Sequence, residues 1–185
     1  MTLKIAVIIG STRPGRLGPK VAEWVVAQAA ERENASYELV DLADYELPLL
    51  DESLPAGWGK YEHEHTKRWA AKVAEFDGFV FVTPEYNHST SGALKNAIDF
   101  VGAEWNDKAA AFIGYGSLGA ARAIEHLRGI AAELQIADVR QNVNFSLFTD
   151  FQDFSEFTPA DRHADDVQVL FDQLEKWAGA MATLR

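Results

Sequence analysis

Ile5-Ala-Val-Ile-Ile-Gly-Ser-Thr-Arg-Pro-Gly-Arg-Leu-Gly-Pro19 is the stretch whose reading decides the fold. An apolar run of strand length breaks into a loop rich in Gly, Pro and Arg, and an amphipathic helix follows from about Leu17. That succession builds an anion site, because the first turn of a helix has backbone N–H groups without intrahelical partners and carries the positive end of the helix dipole. Arg13 and Arg16 can add charge-assisted hydrogen bonds, Ser11 and Thr12 can donate hydroxyls, and glycines let the backbone approach a ligand closely. The competing reading is an ordinary strand-to-helix turn with surface arginines.

Two better-known phosphate motifs do not fit. The P-loop requires Gly-Lys followed by Ser or Thr, whereas Gly18 precedes Pro19 and Lys20 precedes Val21. The dinucleotide fingerprint places its glycines two and three apart, but Gly10, Gly15 and Gly18 are spaced by five and three.

Working outward, 185 residues at 48% hydrophobic content suit one α/β domain with a full core, read here as residues 1–185. The formal net charge of −11 argues against nucleic acid or an anionic membrane as partner, since both are bound through clustered Lys and Arg. There is no cysteine, which removes disulfides, thiolate catalysis and Cys-ligated metal sites together. Without a signal-peptide pattern or an apolar run of membrane-spanning length, the expected location is the cytoplasm. His63 and His65 are two apart, which on a helix directs them to different faces, and no metal site is expected.

Periodicity then alternates strand and helix along the chain. Val21 to Arg32 is helical, with Val21, Trp24, Val25 and Ala29 on one face; Tyr37 to Leu42 is a strand; Glu46 to Gly59 is a loop; Thr66 to Phe76 is helical through Trp69, Val73 and Phe76. Phe79 to Val82 is apolar throughout, as a central parallel strand should be. Ser91 to Phe100 and Ala120 to Leu134 read as helices, Ala109 to Ile113 and Val139 to Phe145 as strands. Ala164 to Leu184 closes the chain as a helix with Val167, Leu170, Leu174 and Trp177 facing inward. Such alternation implies a parallel sheet with right-handed crossovers, whose ligands sit at the carboxyl ends of the strands. Gly10 to Gly18, Thr83 to Gly92 and Gly114 to Gly119 should therefore converge on one pocket.

Thr83-Pro-Glu-Tyr-Asn-His-Ser-Thr-Ser-Gly92 is polar and stiff for a link between buried elements. Pro84 fixes the exit from the strand, Tyr86 offers a flat face, and the backbone can donate and accept at the edge of a planar ring. Ser89, Thr90 and Ser91 are equally good helix caps. Gly114-Tyr-Gly-Ser-Leu-Gly119 resembles a hydrolase nucleophile elbow only superficially, because Tyr115 stands where that motif needs glycine. A glycine-rich loop presenting amides, with Ser117 as an added donor, is the better reading.

Gly10-Ser-Thr-Arg13, then Thr83-Pro-Glu-Tyr-Asn87 running into Ser91-Gly-Ala-Leu-Lys-Asn96, is similar to the signature of the NAD(P)H-dependent FMN reductase family. The resemblance spans the first strand through the fourth helix. It implies a flavodoxin-like three-layer sandwich with a five-stranded parallel sheet in the order 2-1-3-4-5. It also implies FMN as cofactor, NADPH or NADH as hydride donor, and a small-molecule electron acceptor such as a quinone, an azo compound, a metal oxyanion or free flavin. Carried over by residue, Ser11 and Arg13 with the amides around Leu17 and Gly18 would hold the phosphate. Pro84, Glu85, Tyr86 and Asn87 would line the ring, and Ser91, Gly92 and Ser117 would complete the pocket. No side chain need act as acid or base. Where many members carry serine this chain has Arg16, which would face the phosphate or an incoming nicotinamide nucleotide.

Members of that family are commonly dimers or tetramers with the flavin near a subunit boundary, so a homodimer or homotetramer is implied. The aromatic segment Phe145, Phe148, Phe151, Phe154 and Phe157 fits that interface or burial beneath the last helix. Two other functions use the same features: a one-electron carrier of the flavodoxin type, and a non-catalytic module that binds a phosphate ligand.

Overall fold

Ile5 to Ile9 have no polar side chain to leave on a solvated face, and β1 (Leu3–Ile9) accordingly lies inside the sheet, buried from Ile5 onward. The structure is a computed structural model describing residues 2–185. After β1 the chain runs through α1 (Gly18–Gln28), β2 (Ala35–Asp41), α2 (Glu64–Ala74), β3 (Gly78–Pro84), α3 (Gly92–Asp99), β4 (Lys108–Gly116), α4 (Ala121–Glu133) and β5 (Ile136–Ser146). A short hairpin, β6 (Phe151–Gln152) and β7 (Glu156–Phe157), precedes the closing helix α5 (Arg162–Met181). The five long strands form one parallel sheet in the order β2-β1-β3-β4-β5, the flavodoxin-like arrangement the resemblance implies.

Alternation along each strand divides the core into two layers. Ile5, Val7, Ile9, Val80, Val82, Ala111 and Ile113 pack against α1 and α5, while Ala6, Ile8, Phe79, Phe81 and Phe112 pack against α2, α3 and α4. The second layer is aromatic: Trp105 meets Phe79 edge-on at 4.8 Å between centroids and lies 6.2 Å from Trp69. Each such ring contributes roughly 1.5–3 kcal/mol through burial. Both indoles are satisfied, since Trp69 Nε1 donates to the Ala97 carbonyl at 2.7 Å and Trp105 Nε1 to that of Ile98 at 3.1 Å.

Three departures from the sequence pattern have local causes. β2 ends at Asp41 rather than Leu42, because the Asp41 carboxylate accepts the Ala43 N–H at 3.0 Å and starts a 3₁₀ turn, Leu42–Tyr45. β5 is longer than Val139 to Phe145 and carries an irregularity opposite Ala110 and Phe112, where Arg128 of α4 donates to the carbonyls of Val139 at 2.8 Å and Arg140 at 3.1 Å. Trp177, expected to face inward, is 47% exposed; the buried stripe of α5 runs through Val167, Leu170, Phe171 and Leu174 to Ala178, which leaves position 177 outside it.

The aromatic segment divides between its two expected fates. Phe145 and Phe151 are buried and Phe157 packs against them, but Phe148 and Phe154 stand 68% and 61% exposed as an edge-to-face pair at 5.9 Å.

Candidate active site

The loop after β1 is pressed against its neighbours, since a Cβ on Gly10 would lie 2.9 Å from the Val82 carbonyl oxygen. Arg16 N–H donates to the Arg13 carbonyl at 3.1 Å across Pro14 and Gly15, and Gly15 has φ +70°, the left-handed value that the third position of a type II turn requires. At the start of α1, Leu17 provides no side-chain cap, the first turn holds no acidic residue and Pro19 has no N–H. The positive helix end is thus left to the exterior beside Arg13, whose exposed side chain makes no hydrogen bond or ion pair among the described residues. Beneath it lies Tyr115 of β4, 5% exposed, its hydroxyl without a hydrogen-bond partner among the described residues. A Cβ on Gly18 would sit 3.0 Å from that oxygen, so glycine is what lets the phenol reach the helix start. Burial, with Tyr86 nearby, pushes the Tyr115 pKa up, and the hydroxyl stays protonated and able to donate.

The second loop is a two-residue hairpin turn. Tyr86 N–H donates to the Ser89 carbonyl at 2.9 Å and Ser89 N–H to that of Tyr86 at 3.2 Å, with Asn87 at φ 50° and His88 at φ 70°. Left-handed values at both central positions define a type I′ turn, which asparagine adopts readily and histidine less often. Side chains of α4 hold it: Arg122 donates to His88 Nε2 at 3.0 Å, and His126 Nδ1 lies 3.0 Å from Ser89 Oγ. Glu85 is the stronger tether. α4 starts after Ala120, a left-handed residue with no capping side chain, and the Glu85 carboxylate supplies the cap from across the sheet. It accepts Arg122 N–H at 3.1 Å and Arg122 Nε at 2.6 Å.

In the third loop, backbone meets backbone. A Cβ on Gly114 would fall 2.3 Å from the Gly119 carbonyl oxygen, and one on Gly119 (φ +61°) 2.6 Å from Asn144 Cβ. Asn144 Nδ2 donates to the Gly119 carbonyl at 2.6 Å, fixing the loop while Ser117 and Leu118 remain exposed.

The third loop adjoins the second, since a Cβ on Gly116 would lie 3.7 Å from Glu85 Cβ, and the first two loops are joined by hydrogen bonds. Ser11 Oγ lies 2.8 Å from Tyr86 Oη, and Ser91 Oγ donates to the Gly10 carbonyl while accepting Leu94 N–H at 3.1 Å. Ser91 therefore caps α3 and seams two loops together, so its hydroxyl is engaged inside the scaffold. Ser11 is likewise buried. Pro84 ends β3, Tyr86, Asn87 and Gly92 are exposed, and Leu17 and Gly18 sit at the helix start. Arg16 does not turn outward as expected: Nη2 pairs with Asp41 at 2.5 Å and Nη1 donates to the Ser11 carbonyl at 3.0 Å. Tyr115, Arg122, Asn144 and Asp41 were not marked by any motif. Tyr115 could have been noticed as a hydroxyl near the end of an apolar strand, as Thr83 is in β3, whereas the others act at long sequence separation. His63 precedes α2 in extended backbone, and its ring stacks on His65 at 5.1 Å instead of facing away; both approach Asp51. No group of three metal-ligating side chains occurs among the described residues.

A family described as NADPH-dependent FMN reductase matches residues 3–150. An NAD(P)H-dependent FMN reductase of Schizosaccharomyces pombe is 44% identical over 138 residues, covering 74% of this chain and 69% of its own. A 2-hydroxy-1,4-benzoquinone reductase of a Burkholderia species is 34% identical over 148 residues, covering 76% of each. Among solved structures, a flavoenzyme NAD(P)H:(acceptor) oxidoreductase from Paracoccus denitrificans superimposes with a TM-score of 0.76 at 25% identity, covering 97% of this chain and 99% of its own.

Proposed function

This chain belongs to the NADPH-dependent FMN reductase family, and on that premise we propose how its three loops hold the flavin and which acceptors it serves. The protein is an NAD(P)H-dependent FMN oxidoreductase. When bound, FMN would supply the hydride chemistry that links the nicotinamide nucleotide to an acceptor, and the residues of this chain would hold and orient it.

The observation that carries the site assignment is the uncapped start of α1 above the unpartnered, buried Tyr115 hydroxyl, with Arg13 alongside. Donors, a helix dipole and one unpaired cation suit a phosphate, and no acidic side chain stands in the first turn of α1 to repel it. We assign the phosphate to Ser11, Arg13, Tyr115 and the amides around Leu17 and Gly18. The ring goes to Pro84, Tyr86 and Asn87 through backbone atoms, with Gly92 and Ser117 at the edges. Glu85 and Ser91 serve this site by holding the second loop to α4 and to the first loop.

A quinone is the acceptor class we favour, because relatives of this chain are named quinone reductases. We read residues 1–185 as one domain, working in the cytoplasm as a homodimer or homotetramer. The exposed pair Phe148 and Phe154 supports a subunit contact beside the third loop, since Phe148 N–H bonds Ser146 Oγ, itself 3.5 Å from the Ser117 carbonyl. Light scattering that finds only monomer would remove that contact. The function itself is tested by the visible spectrum and anaerobic titration with NADPH and then NADH. Yellow protein bleached rapidly by either nucleotide, and recoloured by a quinone, is the expected result; slow bleaching would mark an electron carrier, and colourless protein that takes up no FMN would refute the site.

A further inference from the structure

Arg16 and Asp41 are two opposite charges beside a loop assigned to bind an anion, and their geometry shows each engaged by the other. Arg16 Nη2 lies 2.5 Å from Asp41 Oδ2, and the side chains are 19% and 20% exposed. The second guanidinium nitrogen, Nη1, donates to the Ser11 carbonyl at 3.0 Å, and Arg16 N–H closes the turn onto the Arg13 carbonyl at 3.1 Å. Asp41 is fixed in turn, because its other oxygen accepts Ala43 N–H at 3.0 Å. The guanidinium thus spans from Ser11 near the start of the loop to the carboxyl end of the neighbouring strand, and Arg13 remains the loop cation without a side-chain partner among the described residues.

We propose that the Arg16–Asp41 pair is a positioning device: it holds the β1–α1 loop in the shape that receives the FMN phosphate, and Arg16 does not itself bind that phosphate. The proposal rests on assigning the phosphate to this loop. Planar, two-pronged donors suit such bridging, since a guanidinium can hold a carboxylate and a carbonyl at once in fixed relative orientation. A pre-shaped loop binds more tightly because less ordering remains to be done on binding.

Coulombic reasoning and the positioning reading predict opposite signs for one substitution. If Arg16 were a phosphate counter-charge held back by Asp41, Asp41→Asn would remove a repelling carboxylate, free the cation and tighten FMN binding. If the pair shapes the loop, Asp41→Asn weakens it. The full-length chain freed of flavin is titrated with FMN and with riboflavin, which has the ring but no phosphate, following flavin fluorescence. Asp41→Asn is expected to raise the FMN Kd about tenfold, the size of loss seen when an outer residue that orients a binding group is removed. Riboflavin affinity should stay within about twofold. Asp41→Glu, which keeps the charge but moves it outward by one methylene, should lose FMN affinity as well. Arg16→Gln should weaken FMN without changing how steeply affinity falls with salt, because a cation in direct contact would be screened and a positioning one is not. The double variant should be no worse than the weaker single one.

Tighter or unchanged FMN binding in both Asp41 variants, or an equal loss of riboflavin, would overturn the proposal. Arg13→Ala separates the two levels. If it leaves FMN affinity intact, the phosphate assignment and the positioning role fall together; if it weakens FMN while the Asp41 variants do not, only the positioning role falls.

Discussion

Glu85→Ala removes the only side chain among the described residues that caps α4, and the loss can be worked from the contacts. The carboxylate accepts the Arg122 N–H at 3.1 Å and pairs with the Arg122 guanidinium. A helix cap contributes ~0.5–2 kcal/mol, towards the upper end when the acceptor is charged. Arg122 is 40% exposed and regains water when released, so the ion pair adds no more than ~1 kcal/mol. The sum is about 2 kcal/mol, or a fall in Tm of roughly 4–8 °C for a chain of this size. Because Glu85 also ties the second loop to α4, riboflavin should bind more weakly too. Glu85→Gln, which keeps the shape without the charge, should lose about half as much. The pH dependence supplies a sharper check. Burial alone would raise the Glu85 pKa, but the hydrogen bond from Arg122 and the amides at the start of α4 outweigh it and hold it below the ordinary glutamate value. A carboxylate with a depressed folded-state pKa contributes its stability above the unfolded value near 4.5 and loses it as pH falls through the folded value. The Tm gap between wild type and Glu85→Gln should therefore be constant from about pH 8 to 5 and close below the folded-state pKa. Differential scanning calorimetry across that range decides the matter: equal melting at pH 7, or a gap that persists unchanged at the acid end, would refute the capping role.

Three further substitutions probe the site and the scaffold. Arg13→Ala should raise the FMN Kd roughly tenfold or more, read by fluorescence titration, and should flatten its salt dependence. Tyr115→Phe removes a buried hydroxyl that has no hydrogen-bond partner among the described residues, so stability measured without added FMN should hold or rise by up to ~1–3 kcal/mol while FMN affinity falls; a parallel fall in both would show that the phenol is a structural donor. Lys108 is buried, its Nζ donating to the Val73 carbonyl at 2.8 Å, and burial pulls its pKa from 10.5 down to about 8. The unfolded chain then binds the extra proton between those values, so stability rises with pH there: relative to Lys108→Met, wild type should gain about 2–3 kcal/mol between pH 7.5 and 10 in urea unfolding.

How far the residues could be read depended on the range of the interaction. Phe79 to Val82 announces a central strand because four apolar residues in a row leave no solvated face, and that inference needs no neighbour. Gly10, Gly15 and Gly18 mark a loop for the same local reason. Trp177 was misread because spacing along a helix defines a stripe but not where it ends against the sheet. His63 was misread because a helix register was extended one residue past its start. Arg16 shows the limit most plainly: its chemistry fits a phosphate, an acidic side chain or a carbonyl equally well, and Asp41, 25 residues away, decides among them.

By itself, then, the order of residues determined the alternation of strands and helices, the three glycine- and proline-punctuated loops and the motifs that place the chain in its family, because backbone preference and binary patterning act over a few neighbours. The tertiary structure alone decided which polar groups were spent on the scaffold and which were left over. Glu85 went to the α4 cap, Ser91 to the Gly10 carbonyl and Arg16 to Asp41, while the Arg13 side chain and the Tyr115 hydroxyl remained unpaired among the described residues. Hydrogen bonding is a matter of proximity, and proximity between residues 11 and 86, 16 and 41 or 85 and 122 exists only once parallel strands have brought their carboxyl ends to the same edge of the sheet.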